Sequence, residues 1–157
     1  MSERIGVGED FPDIAMTAPD GSSVKASDFA GKKLVVFFYP KDDTPGCTTE
    51  NKDFSILYAD FQQAGIAVLG VSKDPPKKHL KFAEKHALTA PLASDAEEGG
   101  VSDALGIWTE KSMYGRTYMG MERTTYLIDA EGKISRIWNK VKVKGHADEV
   151  LAAAKAL

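Results

Sequence analysis

The stretch Leu34-Val35-Val36-Phe37-Phe38-Tyr39-Pro40-Lys41-Asp42-Asp43-Thr44-Pro45-Gly46-Cys47-Thr48-Thr49-Glu50 decides the fold of this chain. Its apolar beginning predicts a central strand that is covered on both faces. The prolines and glycine that follow predict a structured loop and then a helix that opens at or just before Cys47. A thiol in the first helical turn faces unpaired backbone N–H groups and the positive end of the helix dipole, which both favour the reactive thiolate.

The sequence after this stretch continues to alternate between helices and strands. Apolar residues recur at helical spacing beyond Asp53, and a second apolar run follows Gly65, which predicts a strand–helix–strand unit with parallel strands. Predicted helices cover residues 47–64, the segment from Pro75-Pro76 to about residue 86, residues 101–105, and a closing segment with Asp148 and Glu149 in its first turn. Predicted strands cover residues 34–39, 66–71, 91–93, 124–128 and 133–138.

Turn signals complete the predicted architecture. Pro19-Asp20-Gly21 predicts an N-terminal hairpin, and Asp129-Ala130-Glu131-Gly132 predicts a second hairpin between the last two strands. Residues 111–122 are polar and interrupted by glycines, and we expect a loop there. The order favours the α/β class with a thioredoxin-like fold: a central mixed β-sheet flanked by helices on both faces, with an N-terminal hairpin extension, in a single domain over residues 1–157. A small flavodoxin-like sheet is the alternative, and the late antiparallel hairpin disfavours it.

Composition and charge exclude several classes of function. The net charge of −3 gives no reason to expect binding to nucleic acid or to an anionic membrane. No apolar run approaches the roughly 20 residues that span a bilayer, and Met1-Ser2-Glu3-Arg4 does not open a signal peptide. A single cysteine excludes an internal disulfide and a cysteine-based zinc site. We therefore expect a cytoplasmic protein whose thiol stays reduced, without a metal or cofactor.

Cys47 and Thr44 are the first candidates for chemistry. A lone cysteine is often buried and inert, but the proline and glycine before this helix start favour a reactive thiol at Cys47. Thr44 lies three residues earlier. Its hydroxyl is expected either to cap the helix or to donate to the sulfur or to a bound oxygen, and the two roles do not exclude each other.

Arg123 and Glu50 are the candidates for charge near the thiol. Arg123 opens a predicted strand, where an arginine is usually solvated, but a guanidinium beside Cys47 would stabilise the thiolate and offer fixed donors to oxygen. Glu50 is expected to fold back on the helix start as part of a capping box. The alternative role for Glu50 is to orient an arginine at the site.

Other polar and aromatic residues are expected to be structural. We expect all three histidines to be surface or capping residues, because their spacing does not suit metal ligands, and we expect Asp42-Asp43 to be a solvated loop pair. A cluster of methionine and tyrosine is expected either to pack within a loop or to form an apolar wall beside the active site. The residues concerned are His79, His86 and His146 for the first group, and Met113, Tyr114, Tyr118, Met119 and Met121 for the cluster.

Several motifs together resemble the peroxiredoxins. Pro40-x-x-x-Thr44-x-x-Cys47 is similar to the signature of that family, and the longer string Phe38-Tyr39-Pro40-Lys41-Asp42-Asp43-Thr44-Pro45-Gly46-Cys47-Thr48-x-Glu50 resembles the bacterioferritin comigratory protein, or peroxiredoxin Q, subfamily. The resemblance extends through Met113-Tyr114-Gly115, Tyr118-Met119-Gly120, Glu122-Arg123-x-Thr125-x-Leu127-Ile128-Asp129 and Trp138-x-Lys140-Val141-Lys142. It runs from about residue 6 to the end of the chain.

The resemblance implies a thioredoxin fold and the reduction of hydrogen peroxide or organic hydroperoxides. It implies that Cys47 is the peroxidatic nucleophile, that Thr44 and Arg123 bind and polarise the peroxide, and that Pro40 shields the pocket from water. The backbone N–H groups of Gly46 and Cys47 would add donors for the oxygen on which charge develops. The product would be a sulfenic acid that a second thiol must reduce.

The sequence departs from the subfamily pattern at Lys52. Many members carry a resolving cysteine at this position, but this chain has only Cys47. The resemblance therefore implies a one-cysteine peroxiredoxin that is resolved by an external thiol, such as thioredoxin, a glutaredoxin or glutathione, and that works as a monomer or weak homodimer. The alternative is a peroxide sensor or redox interaction module that oxidises Cys47 without efficient turnover. A general disulfide oxidoreductase is disfavoured because the chain has no C-x-x-C motif.

Overall fold

A seven-stranded mixed β-sheet forms the centre of the protein in the computed structural model, which describes residues 4–96 and 99–157. The opening residues 1–3, considered above for a signal peptide, lie outside the described part. The strands of this sheet are β1 (Met16–Thr17), β2 (Ser23–Val24), β3 (Lys33–Phe38), β4 (Ile66–Ser72), β5 (Leu92–Ser94), β8 (Thr124–Ile128) and β9 (Ile134–Trp138); β6 (Trp108–Met113) and β7 (Arg116–Met121) form a separate hairpin. The helices are α1 (Pro45–Gln63), α2 (Pro76–His86), α3 (Val101–Leu105) and α4 (His146–Ala156).

Strand β3 lies at the centre of the sheet because both of its faces are apolar. The strand order is β2-β1-β5-β4-β3-β8-β9, with β3 parallel to β4 and antiparallel to β8. Alternate residues of β3 point to opposite faces, so that Phe37 packs with the helices on one face and Phe38 packs in the core on the other. The Phe37 ring stacks on Phe54 of α1 with a centroid distance of 4.2 Å, which fixes α1 over the end of β3.

Helices cover both faces of the sheet, as the sequence predicts. The core on one face is formed with α1, α2 and α4, which contribute Phe54, Phe82 and Val150. The core on the other face contains Val101 of α3 together with Phe11 from the N-terminal segment. The predicted α/β class, mixed sheet and N-terminal hairpin are confirmed, and within the described residues none of the helices is long and apolar enough to cross a membrane.

The predicted loop over residues 111–122 is wrong. This segment belongs to the β6–β7 hairpin, whose two strands pair from Trp108 opposite Met121 to Met113 opposite Arg116. Tyr114 and Gly115 form the tight turn with positive φ angles of 53° and 77°, the conformation that two-residue hairpin turns require. The strands escape prediction because most of their residues are exposed on both faces, so that no apolar alternation marks them.

Candidate active site

Cys47 lies in the first turn of α1, and the residue is only 1% exposed. The helix begins at Pro45, two residues earlier than the predicted start, because proline is well suited to the first helical position. The first helical hydrogen bond runs from Thr48 N to Thr44 O over 2.8 Å. The N–H groups of Gly46 and Cys47 precede that bond, so the helix itself offers them no acceptor. These groups favour negative charge at this end of the helix.

Arg123 approaches Cys47 although the two residues lie 76 positions apart in the sequence. The reason is the register of the sheet, in which Thr124 of β8 lies opposite Phe38 of β3. The residue before Thr124 therefore lies at the end of β3, where the chain turns toward α1. From there the guanidinium donates from Nη2 to Cys47 Sγ over 3.3 Å. A cation at this distance stabilises a thiolate more than a thiol.

Glu50 holds the other side of the guanidinium. Arg123 Nη1 donates to Glu50 Oε1 over 2.7 Å, and Glu50 is 1% exposed. The preferred capping-box interpretation of Glu50 is wrong, because the earlier helix start makes Glu50 the sixth residue of α1, too far along to bond back to the cap. Burial raises the pKa of Glu50 to about 7, against the opposing effect of the Arg123 charge. At lower pH the carboxyl is neutral, and Glu50 then no longer offsets the positive charge of Arg123.

Thr44, Pro40 and Gly46 line the route from β3 into α1. Thr44 occupies the position before the helix, but its side chain makes no capping bond; its hydroxyl instead donates to Lys41 O over 2.8 Å. The hydrogen of Thr44 is therefore directed away from the sulfur, and Oγ1 retains lone pairs that can accept. Pro40 is half-buried directly after the buried Tyr39, and Gly46 is exposed as the second residue of α1.

A buried polar network anchors the loop before Cys47 to α2. Asp42 accepts from Tyr39 OH over 2.6 Å and lies 2.6 Å from His79 Nδ1, while His79 Nε2 lies 2.9 Å from Ala93 O. The predictions of a solvated Asp42 and a surface His79 are wrong, since their exposures are 2% and 0%. Burial is possible because each polar atom of the pair has a partner from another element. The network fixes the position of the loop that leads to the thiol.

The neighbouring residue Asp43 provides a second, exposed anchor to the same helix. Its carboxylate accepts from Lys85 Nζ over 2.7 Å and lies 2.8 Å from His86 Nε2. Asp43 has a φ of 60°, a conformation that aspartate tolerates better than most residues. The prediction of a solvated loop residue holds for Asp43, which is exposed. His86 lies in the last turn of α2, but its side chain is only 16% exposed and bonds Asp43 rather than the end of the helix.

His146 lies behind the site rather than on the surface. It is 6% exposed, its Nε2 lies 2.8 Å from Thr125 Oγ1, and its ring packs edge-on against Phe54 and Trp138. The prediction that His146 is a surface residue is therefore wrong, although it does open α4. Burial lowers the pKa of His146 to about 4, and the charge of Arg123 acts in the same direction. The imidazole is therefore neutral at neutral pH.

Lys111 is a charged residue at the site that sequence reasoning missed. Lys111 Nζ donates to Met121 O over 2.6 Å, and an open cavity of about 520 Å³ is lined by Lys111 and Arg123 together with Lys140. Burial, followed by the charge of Arg123, lowers the pKa of Lys111. A lysine in a polar, glycine-interrupted segment carries no recognisable signal, so only the hairpin register could have revealed its position.

The methionine and tyrosine cluster is divided by the hairpin. Met121 is fully buried in the core. The other four residues face solvent, so the loop-packing interpretation is wrong for them; they are Met113, Tyr114, Tyr118 and Met119, with exposures from 46% to 98%.

The chain is similar to known proteins over almost its whole length. The model of the AhpC/TSA family matches residues 7–137. A protein named peroxiredoxin Bcp from Bacillus subtilis is 44% identical over 151 residues, which cover 96% of each chain. A protein of the same name from Xanthomonas campestris is 46% identical over 144 residues, which cover 92% of this chain and 89% of the relative.

A solved structure agrees with the sequence comparison. The Xanthomonas campestris bacterioferritin comigratory protein, described in work on its alkyl peroxide reduction activity from trapped intermediate and ligand complexes, superposes with a TM-score of 0.88. It is 42% identical, and the alignment covers 96% of this chain and 98% of the other.

Proposed function

The chain belongs to the AhpC/TSA family as a peroxiredoxin of the Bcp and PrxQ type, and from this premise we propose a mechanism centred on Cys47. The resemblance inferred from the sequence motifs is thereby confirmed. The protein is a thiol peroxidase, which reduces hydroperoxides at the expense of a thiol. The observation that carries the mechanism is the 3.3 Å contact between Arg123 Nη2 and Cys47 Sγ.

The first step is attack of the Cys47 thiolate on the terminal oxygen of the hydroperoxide. The S–O bond forms while the O–O bond breaks, so that sulfur is oxidised to a sulfenic acid and the peroxide is reduced. The leaving oxygen departs as alkoxide or hydroxide and takes up a proton to give the alcohol or water. Arg123 and the unpaired N–H groups of Gly46 and Cys47 are the donors that stabilise the developing negative charge.

Thr44 and Pro40 prepare the peroxide for this attack. The Thr44 hydroxyl already donates to Lys41 O, so we assign its oxygen the role of an acceptor for the peroxide O–H. Pro40 lacks an N–H group and is half-buried, which suits a role in excluding water from the sulfur. Glu50 acts through Arg123, because its ion pair at 2.7 Å fixes the direction of the guanidinium.

The second half of the reaction depends on an external thiol, since the sequence contains one cysteine. One thiol condenses with the sulfenic acid to give a mixed disulfide and water, and a second thiol releases Cys47 and a disulfide product. Thioredoxin, a glutaredoxin or glutathione is the proposed reductant. We also propose that the single domain works as a monomer or weak homodimer in the cytoplasm, where such thiols are kept reduced.

A peroxide-consumption assay with several thiol donors tests this function. The wild-type protein is expected to turn over with at least one donor, and the Cys47→Ser variant is expected to consume no peroxide. Turnover in Cys47→Ser would disprove the assignment of the nucleophile. Consumption of one equivalent of peroxide per chain, with no donor supporting more, would instead favour the peroxide-sensor function.

A further inference from the structure

The cavity beside Arg123 has an unbalanced positive charge. Four cationic side chains and two carboxylates line it, namely Arg4, Lys111, Arg123, Lys140, Glu110 and Glu122. Arg4 pairs with Glu122 over 3.0 Å and Arg123 pairs with Glu50 over 2.7 Å, so these charges largely cancel. The two lysines then outnumber Glu110, the remaining carboxylate of the lining. Lys111 and Lys140 form no ion pair with a carboxylate anywhere in residues 4–96 and 99–157. An anion in the cavity would therefore meet two ammonium groups with free donors.

Lys111 is held in the cavity by the hairpin itself. A Cβ on Gly120 would lie 2.9 Å from Lys111 Cδ, which shows that the lysine stem runs across the space left by the glycine. The ammonium group uses one of its three donors on Met121 O at 2.6 Å. Two donors remain for a ligand. Because this ammonium is partly desolvated, a bound anion would gain more from it than from a fully solvated lysine.

The backbone of Lys140, which also lines the cavity, is fixed by the chain that leaves β9. Its φ of 47° lies in the left-handed region, which non-glycine residues rarely adopt. The next residue, Val141, donates its N–H to Arg123 O over 2.9 Å. The backbone that carries Lys140 is thus bonded directly to the residue that contacts Cys47 Sγ. Strain of this kind persists where the surrounding structure demands it.

We propose that this cavity is a carboxylate-binding subsite that holds the small anionic thiol used to resolve oxidised Cys47. The proposal rests on the thiol-peroxidase function above. Arg123 lines the cavity and its Nη2 lies 3.3 Å from Cys47 Sγ, so a thiol whose carboxylate is bound by Lys111 and Lys140 lies within one guanidinium group of the sulfur. Cys47 Sγ is nearly inaccessible. A thiol that is already bound beside it reacts faster than a thiol from solution whenever the sulfur becomes accessible, because the effective concentration of the bound thiol is high.

The reaction at this subsite requires no additional reactant. The thiol sulfur attacks Cys47 Sγ of the sulfenic acid, the S–O bond breaks, and the hydroxyl leaves as water with the thiol proton. A second molecule of the same thiol then reduces the mixed disulfide to the Cys47 thiol. Neutral thiols can carry out the same steps, but they gain nothing from the lysines.

Three small thiols of similar size and different charge test the proposal: 3-mercaptopropionate, 2-mercaptoethanol and cysteamine. Their rates of reaction with peroxide-oxidised protein are compared per thiolate present. We expect the anionic thiol to react about fivefold faster than the neutral one and the cationic thiol to be slowest, with the preference lost at high salt. A wild-type protein that reacts equally with the anionic and neutral thiols would overturn the proposal.

Substitutions of the two lysines test whether they cause the preference for the anionic thiol. Lys111→Gln combined with Lys140→Gln should bring the ratio of the 3-mercaptopropionate rate to the 2-mercaptoethanol rate down to about one, while Lys111→Arg should retain the wild-type ratio. Lys142→Gln, an exposed lysine of the same segment that does not line the cavity, is the matched control. An undiminished preference in the double variant would overturn the proposal.

Two further measurements separate this subsite from the proposed function. If peroxide failed to oxidise Cys47, the thiol-peroxidase function would fail. The reaction with thiols would still be measured on protein whose Cys47 carries a methylthio group, made with methyl methanethiosulfonate.

The other ligand that the cavity could hold is a carboxylated hydroperoxide. A comparison of tert-butyl hydroperoxide with a hydroperoxide that bears a carboxylate tests it. If the double variant slowed only oxidation by the carboxylated peroxide, the cavity would serve the peroxide and the thiol assignment would be wrong.

Discussion

Gly46 and Arg123 lie so close together that a Cβ on Gly46 would stand 3.3 Å from Arg123 Nη2. The guanidinium cannot move freely from this contact, because its two terminal nitrogens also bond to Glu50 and Cys47. The missing side chain at Gly46 is therefore what allows the arginine to lie over the start of α1.

The Gly46→Ala variant should consequently react more slowly with peroxide without losing stability. The methyl group would displace Arg123 by a few tenths of an ångström. We expect the rate of Cys47 oxidation to fall by about fivefold, a smaller loss than the roughly 100-fold or more caused by removing a stabilising donor altogether. Helix propensity favours alanine over glycine by up to about 1 kcal/mol. Stopped-flow oxidation and urea unfolding measure the two effects, with Lys52→Ala as a control on the same helix. An unchanged oxidation rate would show that the contact does not matter for the chemistry.

The Arg123→Ala variant should react more slowly with peroxide because Cys47 loses its neighbouring guanidinium, and this effect can be separated from any loss of stability. We expect oxidation to slow by about 100-fold and the alkylation of Cys47 by iodoacetamide at neutral pH to slow as well, because the sulfur loses its neighbouring cation. The variant also leaves the buried Glu50 without its partner, which destabilises the fold. Adding Glu50→Gln should restore stability but not the rate. An unchanged alkylation rate in Arg123→Ala would show that the guanidinium does not act on the sulfur.

Glu50 should make the protein less stable as the pH rises. Folding raises its pKa from 4.5 to about 7 because burial disfavours the carboxylate, so the folded state binds the proton more tightly. This contribution is full below about pH 4.5 and is lost as the pH approaches 7, with a magnitude of roughly 3 kcal/mol. Urea unfolding of wild type and Glu50→Gln across this range measures it. A constant difference in stability between the two proteins would contradict the prediction.

His146 should produce the opposite slope. Burial lowers its pKa from 6.5 to about 4, so its contribution to stability is present above about pH 6.5 and is lost as the pH falls toward 4. The two slopes offset each other in the wild-type protein between pH 4.5 and 6.5. We expect Glu50→Gln to become more stable as the pH rises through this range, and His146→Gln to become less stable. Parallel profiles for the two variants would show that neither group titrates as described.

The two adjacent aspartates of the loop should differ sharply in their effect on stability. Asp42→Asn disturbs buried bonds to Tyr39 and His79 and should lower the free energy of unfolding by about 2 kcal/mol. Asp43→Asn is chemically the same change at an exposed position and should leave the unfolding midpoint nearly unchanged. Because Asn also tolerates a positive φ, the control does not strain the turn. Similar losses in both variants would contradict the assigned network.

The sequence predicts the elements of the sheet well because their residues carry strong local signals. The apolar run of β3 and the helical spacing of Phe54 and Phe61 each define an element without reference to distant residues. The β6–β7 hairpin has no such signal, since solvent on both faces removes the alternation that marks a strand. Its turn at Tyr114 and Gly115 was the one local indication.

The site depends on contacts between residues far apart in the chain, which the spacing of residues in the sequence does not reveal. Cys47 was identifiable from the loop and helix around it, but the position of Arg123 depends on the register between β3 and β8. Glu50 pairs with Arg123 instead of capping the helix, because the helix begins two residues earlier than the sequence predicts. The pairing of Asp42 with His79 joins residues 37 positions apart, and its burial is a tertiary effect that overrides the polar character of both side chains.

The register that joins Arg123 to Cys47 also sets when the two residues can meet during synthesis. Cys47 leaves the ribosome well before Arg123 has been made, and the arginine reaches the sulfur only after β8 has paired with β3. Until then, the nascent chain carries a cysteine without its guanidinium partner. If Arg123 acts on the sulfur as proposed, full reactivity toward peroxide requires a chain in which β8 has already paired with β3.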